Sequence, residues 1–221
     1  MSGTHDHGHE HANGHDPHAP IIDNGVNPYA QRVNAMVELL IEKGVISRAE
    51  IEAQKRDLES RTPADGARIV ARAWADPAFK QRLLNDFTLA CAEVGLDTSG
   101  YAVIKAVENT DQVHHLVVCT LCSCYPRMLL GLPPDWYKSL SYRSRAVIEP
   151  RAVMAEFGLH LPPDIEVRVL DSTADLRYLV IPRRPAGTDG MSEADLAELV
   201  TRDSMIGVTE ARQPALAPSA P

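Results

Sequence analysis

The chain has 221 residues, 44% of them hydrophobic and 24% charged, with 13 Gly and 16 Pro, a balance that excludes collagen-like, coiled-coil and wholly disordered classes. At about 150 residues per domain, the length leaves room for one large domain or one domain with a substantial arm. A formal net charge of −8 has the wrong sign for phosphate neutralisation, and 5% aromatic residues offer little for base stacking, so nucleic acid and anionic membrane are poor partners. The opening MSGTHDHGHE lacks the basic and apolar regions of a secretory signal, and no run reaches the roughly 18 apolar residues of a spanning helix. A soluble cytoplasmic protein is expected.

Residues 1–26 place His5, His7, His9, His11, His15 and His18 among Asp, Glu and Gly. Such a segment has nothing with which to build a core and is expected to be a solvated tail, with metal capture for a site elsewhere as its functional alternative. Asn27-Pro28 is a cap followed by proline, and Val33, Met36, Val37, Leu40 and Ile41 recur at helical spacing up to Gly44. Ser47 and Glu50 form a capping box for a short charged helix. Thr62-Pro63 and Asp76-Pro77 open helices predicted over Ala64 to Ala75 and Ala78 to Val94, the second stopped by Gly95.

Beyond Gly100 the pattern changes. Tyr101 to Val107 and His115 to Cys119 are short, β-branched runs bounded by turn residues, Ile165 to Leu170 alternates, and Tyr178 to Ile181 is apolar, so all four are predicted strands. Pro134 to Ala146, Pro150 to Phe157 and Ser192 to Thr201 read as helices, and a Pro/Ala-rich tail is expected from Glu210. The predicted fold class is α+β: a helical arm over 27–100, then a layered α/β core over 101–209, with tails at 1–26 and 210–221. The core carries a Cys-rich loop where a strand ends and no helix has begun, a place where sites tend to lie.

Three of the four cysteines, Cys119, Cys122 and Cys124, fall within six residues, which suits a metal or redox site better than a disulfide framework. Structural zinc needs a fourth N or S ligand, and only His114, His115 or the distant Cys91 could supply it. A thiol redox module built on Cys119-x-x-Cys122 is the other non-claw reading. A third reading uses the backbone. Sulfurs of Cys122 and Cys124 and deprotonated amides of Ser123 and Cys124 form a plane, Cys119 sulfur is axial, and the sixth position stays open for water or substrate. Soft thiolate and anionic amide donors suit a trivalent low-spin cobalt or iron.

The strings CTLCSCYP, LGLPPDWYKS and YRSR, Glu166-Val167-Arg168-Val169, Arg177 to Val180, Arg184 to Gly190 and TRDSMIGV resemble the α subunit of nitrile hydratase over nearly the whole folded part. Thr120 within the claw resembles the cobalt class rather than the iron class. The resemblance implies non-corrin Co(III) on Cys119, Cys122, Ser123 and Cys124, with Cys122 as sulfinic and Cys124 as sulfenic acid. It implies hydration of nitriles to amides, with Cys122, Ser123, Cys124 and Arg127 at the reacting centre. It further implies a β subunit that supplies two arginines, giving an αβ heterodimer or a higher assembly such as α2β2, and an activator protein that inserts the metal.

Arg127 departs from the family pattern, which has Trp three places beyond the last claw cysteine. The γ subunit of thiocyanate hydrolase shares the claw, and a cation there would favour an anionic substrate, so thiocyanate hydrolysis is the alternative activity. Cys91 is expected to be a small buried hydrophobe and His114 and His115 structural or exposed. Asp171, Asp175 and Arg177 match positions near the family's site but are expected in a surface ion network. Tyr125 and Trp136 suit either a subunit interface or the core.

Overall fold

The computed structural model describes residues 29–98 and 102–214, with only the backbone at Leu58. The His-rich leader, the Asn27-Pro28 cap, Tyr101 and the end of the C-terminal tail lie outside the described residues. Eleven helices and four strands follow in chain order among them: α1 (Ala30–Glu42), α2 (Arg48–Ser60), α3 (Ala64–Ala75), α4 (Pro77–Asn85), α5 (Phe87–Glu93), β1 (Val103–Glu108), β2 (Val113–Val118), α6 (Arg127–Leu130), α7 (Asp135–Lys138), α8 (Leu140–Ile148), α9 (Pro150–Glu156), β3 (Glu166–Asp171), β4 (Leu176–Ile181), α10 (Glu193–Leu199) and α11 (Arg202–Ile206). The α+β class holds. No helix among the described residues is long and apolar enough to cross a membrane.

The strands pair in parallel, β1 with β4 and β2 with β3, as two two-stranded sheets. α3, α4 and α5 lie against the first pair, α8 and α9 against the second, and α11 touches both β2 and β4. Ile69, Val70, Leu83, Leu116, Val117, Val118, Tyr142, Val180 and Ile206 are almost fully buried in one core. Each large aliphatic chain so placed contributes about 1.5–3 kcal/mol of transfer free energy. α3 approaches its neighbours closely because Gly66 has no side chain: a Cβ there would stand 2.8 Å from Met205 Sδ and 2.9 Å from Leu130 Cδ2.

α3 to α5 thus belong to the same core as the strands, whereas α1 buries no residue and leaves Val33, Met36 and Leu39 about half exposed. α2 has the predicted capping box, with Ser47 Oγ accepting from Glu50 N and Glu50 returning to Ser47 N.

Three predicted helices end or break differently. The run from Ala78 to Val94 divides at Asp86, whose extended backbone closes α4 while its carboxylate accepts from Leu89 N to open α5. Ser139 likewise splits the run from Pro134, its hydroxyl accepting from Tyr142 N to start α8. In both places a capping side chain overrides continuous apolar spacing. The third run stops at Leu199, and Thr201 with Ser204 forms a second box that opens α11. Glu210, expected to begin a free tail, pairs with Arg183 at 3.1 Å, and Arg212 N donates to Leu199 O at 2.8 Å. Hydrogen bonds hold the chain here despite its composition.

Candidate metal centre

β2 delivers the claw. Its last residue, Val118, is in register with Asp171 at the end of β3, so the loop leaving β2 meets a carboxylate on the neighbouring strand. Asp171 accepts from Thr120 N at 2.9 Å and from Thr120 Oγ1 at 2.6 Å. The expected surface ion network is therefore replaced by a neutral-donor latch: among the described residues no ion pair joins Asp171, Asp175 and Arg177. Asp175 contributes its carbonyl to Val103 N, and Arg177, whose guanidinium donates to the Thr173 carbonyl, lines the cavity beside the claw.

The three sulfurs of Cys119, Cys122 and Cys124 lie within 4.8 Å of one another, with 3.5 Å between Cys119 and Cys122 and 3.1 Å between Cys122 and Cys124. Cys119 and Cys124 are buried and Cys122 is exposed, all as free cysteines. Neighbouring sulfurs, Cys124 foremost, and the amides of Ser123 and Cys124 lower the pKa of the Cys122 thiol, while burial raises that of Cys124. Of Cys122 and Cys124, the exposed Cys122 therefore forms its thiolate more readily.

This donor set fits a metal. Three sulfurs converge, and among the described residues the Ser123 and Cys124 amides have no backbone carbonyl as acceptor, so neither nitrogen is tied into the fold's own hydrogen bonding. A fourth zinc ligand is not at hand among the described residues, where the metal-capable cluster at this loop is the three cysteines alone. Cys91 is buried in the α5 packing, its pKa pushed up to about 12 by desolvation. His114 Nε2 meets Gly207 O at 2.8 Å, and Asn109 bridges both imidazoles at 3.1 Å. Both histidines are buried and structural.

A cavity of about 330 Å³ opens on Cys122, Ser123 and Cys124 and is bordered by Arg127, Arg177, Arg61 and Asp57. Three arginines against one aspartate give its lining a net positive charge, with Arg61 paired to Asp57 at 3.4 Å and Arg177 donating to the Thr173 carbonyl, and such a lining suits oxygen-bearing sulfur or an anionic ligand. Arg127 opens α6, a helix the sequence pattern did not reveal. Tyr125 is buried, with its ring edge-on to Tyr137 at 5.0 Å, and Trp136 joins Tyr137, Tyr142 and Phe157 in an aromatic cluster. Tyr125 therefore belongs to the core, and Trp136 packs against it half-buried.

The family described as nitrile hydratase, alpha chain, matches residues 27–209. The chain belongs to that family. It is 50% identical over 204 residues to the low-molecular weight cobalt-containing nitrile hydratase subunit alpha of Rhodococcus rhodochrous, covering 92% of this chain and 99% of the relative. It is 42% identical over 201 residues to thiocyanate hydrolase subunit gamma of Thiobacillus thioparus, covering 86% of this chain and 82% of the relative. Among solved structures, a double mutant of the Fe-type nitrile hydratase from Comamonas testosteroni Ni1 superposes with a TM-score of 0.78 at 42% identity, over 90% of this chain and 97% of that one. The fold and the claw are thus those of nitrile hydratase α chains and their thiocyanate hydrolase relatives.

Sequence reasoning assigned no role to Tyr137, Tyr142 or Arg143. Tyr137 OH donates to Cys124 O at 2.8 Å, Tyr142 OH to Val117 O at 2.6 Å, and Arg143 Nε and Nη2 to Cys119 O and Thr120 O at 3.1 and 2.8 Å. Their signal lay in the strings PPDWYKS and YRSR, which helped carry the resemblance.

Proposed function

We propose that this chain is the metal-bearing α-type subunit of a cobalt nitrile hydratase, which hydrates a C≡N group to an amide when joined to its β subunit. The observation that carries the reading is the convergence of three cysteine sulfurs within 4.8 Å at a cavity mouth, in a chain of this family. The ligands proposed are the sulfurs of Cys119, Cys122 and Cys124 and the amide nitrogens of Ser123 and Cys124. When bound, low-spin Co(III) supplies Lewis acidity toward a small unsaturated substrate or water.

The chain's own residues do the rest. Cys122 as sulfinic and Cys124 as sulfenic acid place oxygen atoms at the cavity, the Cys124 oxygen in a position to take a proton or attack. Burial of Cys124, 8% exposed, shields a sulfenate that would otherwise condense or oxidise further. Arg127 and Arg177, which line the cavity, orient the polar end of the substrate. The exposed apolar side of α1 supports a partner chain, in an αβ heterodimer or a higher assembly such as α2β2. An activator protein for metal insertion and a cytoplasmic location complete the proposal.

Thiocyanate hydrolysis is the second reading, favoured by Arg127 at the cavity and by the similarity to thiocyanate hydrolase subunit gamma. A purified complex with the cognate partner, assayed with aliphatic nitriles and with thiocyanate, separates the two. Amide formation from nitriles, with about one cobalt per chain, is the expected result. Preferred hydrolysis of thiocyanate would reverse the assignment, and stoichiometric zinc on unoxidised cysteines would overturn both.

A further inference from the structure

The claw loop does not hold itself in shape. Among the described residues no loop or turn hydrogen bond between backbone groups begins or ends within Thr120–Cys124. Its internal contacts are to sulfur, such as Cys122 N to Cys119 Sγ at 3.3 Å, and these are the contacts a metal would replace. Shape must therefore come from outside.

Four side chains supply it, and they differ in what they can fix. The hydroxyls of Tyr137 and Tyr142 each hold one carbonyl, at Cys124 and Val117, through one rotatable O–H. Such a bond sets a position but leaves the peptide plane free to tilt. Arg143 is different, because its guanidinium is planar and its donors form a rigid fork. Nε takes Cys119 O and Nη2 takes Thr120 O, so two successive peptide planes are set by one rigid group. The first of these planes is also held at its other end, since its N–H is Thr120 N, bonded to Asp171. The Cα–Cβ bond of Cys119 leaves from the edge of that clamped plane.

We propose that Arg143 is a positioning residue for the metal claw. It fixes the Cys119–Thr120 and Thr120–Leu121 peptides so that the Cys119 sulfur already faces those of Cys122 and Cys124 before metal arrives. Held this way, the claw does not have to be ordered by the metal, and the ordering cost is not subtracted from affinity. The guanidinium also sets a fixed positive charge against the carbonyls of a loop that becomes anionic when its thiols and amides lose protons. The inference rests on the metal-claw reading and goes beyond it by naming what positions the Cys119 sulfur.

The test compares the wild-type complex, co-expressed with its partner chain, with Arg143→Ala, Arg143→Lys and a control, Arg151→Ala. Arg151 also spends its guanidinium on backbone carbonyls, those of Leu161, Pro162 and Ile165, but away from the claw. Cobalt per chain, the sulfur-to-metal charge-transfer absorption, release of cobalt to excess chelator and thermal midpoint are read for each. For Arg143→Ala, cobalt retention is expected to fall about tenfold or more, the range of losses when a group supporting metal ligands is removed, with the absorption band shifted or weakened. Arg143→Lys should fall between, because one ammonium cannot hold both carbonyls. Arg151→Ala should lower the midpoint and leave cobalt and band as in wild type. Wild-type cobalt, band and release rate in Arg143→Ala would overturn the proposal. If that variant fails to assemble, the same result in Arg143→Lys overturns it. A wild-type complex with neither cobalt nor iron would instead overturn the metal-claw reading itself.

Discussion

The two ends of β2 handle polar groups in opposite ways. At its start, His114 and His115 are buried, and Asn109 and the Gly207 carbonyl satisfy them. Gly207 sits at a φ of 91° and so close to the His115 carbonyl that no other residue fits the approach. At its other end, the three sulfurs have one another as partners, and beyond Val118 the loop backbone is held by side chains, those of Asp171, Tyr137 and Arg143 and the Cys119 sulfur. Completed bonding makes the first region inert. Donors left facing one another suit the second to a metal, because sulfurs with unspent bonding capacity gain most from one.

That contrast predicts a graded series. The largest effect belongs to the claw: Cys122→Ala or Cys124→Ala should reduce activity of the complex by more than about a hundredfold through loss of metal, since even supporting groups cost tenfold to a hundredfold. Elemental analysis beside the activity assay checks it, and full activity with full cobalt in either variant would contradict the site. Next comes the histidine end. Asn109→Ala strips partners from both imidazoles and from His115 N, at about 1–3 kcal/mol for each buried group left unsatisfied. Urea denaturation should show this loss without a change in cobalt content.

The same end should make stability pH-dependent. Burial lowers the pKa of His114 and His115 below the ordinary 6.5, so the unfolded chain binds more protons than the folded one between the depressed value and 6.5. Their contribution is complete above about pH 6.5 and is lost as pH falls below it. Denaturation midpoints between pH 8 and 5 test this, and His114→Gln should flatten the slope. The smallest effect is expected at Cys91, which touches neither end. Cys91→Ala should cost on the order of 1 kcal/mol from lost packing and leave cobalt and activity unchanged. A loss of cobalt there would show that the claw draws on a fourth sulfur.

Much of the helical part was legible because caps and prolines act locally. Ser47 with Glu50 and Asp76 with Pro77 each signal a helix start from within four residues, and each forms. Asp86 and Ser139 were illegible for the same local reason in reverse. A side chain inside an apolar periodicity can cap or merely face solvent, and the spacing alone does not separate the two. The clustering of Cys119, Cys122 and Cys124 was visible directly, as was the isolation of Cys91.

Asp171 shows the boundary. It is 51 residues from Thr120 in the chain, and only the parallel register of β2 and β3 makes them neighbours.

The sequence by itself determined which groups are available as donors: three soft sulfurs and the amides between the last two, at a spacing short enough for one loop to present them. It also determined most helix starts and the acidic balance that disfavours nucleic acid. The tertiary structure decided which groups brace that loop, namely Asp171 from a paired strand and Tyr137, Tyr142 and Arg143 from α7 and α8, and it decided that Arg127, Arg177 and Arg61 share one cavity. Ligand identity is local chemistry, readable from neighbours in the chain. Ligand geometry depends on contacts between distant segments, which form only when the core buries β2 and β3 side by side.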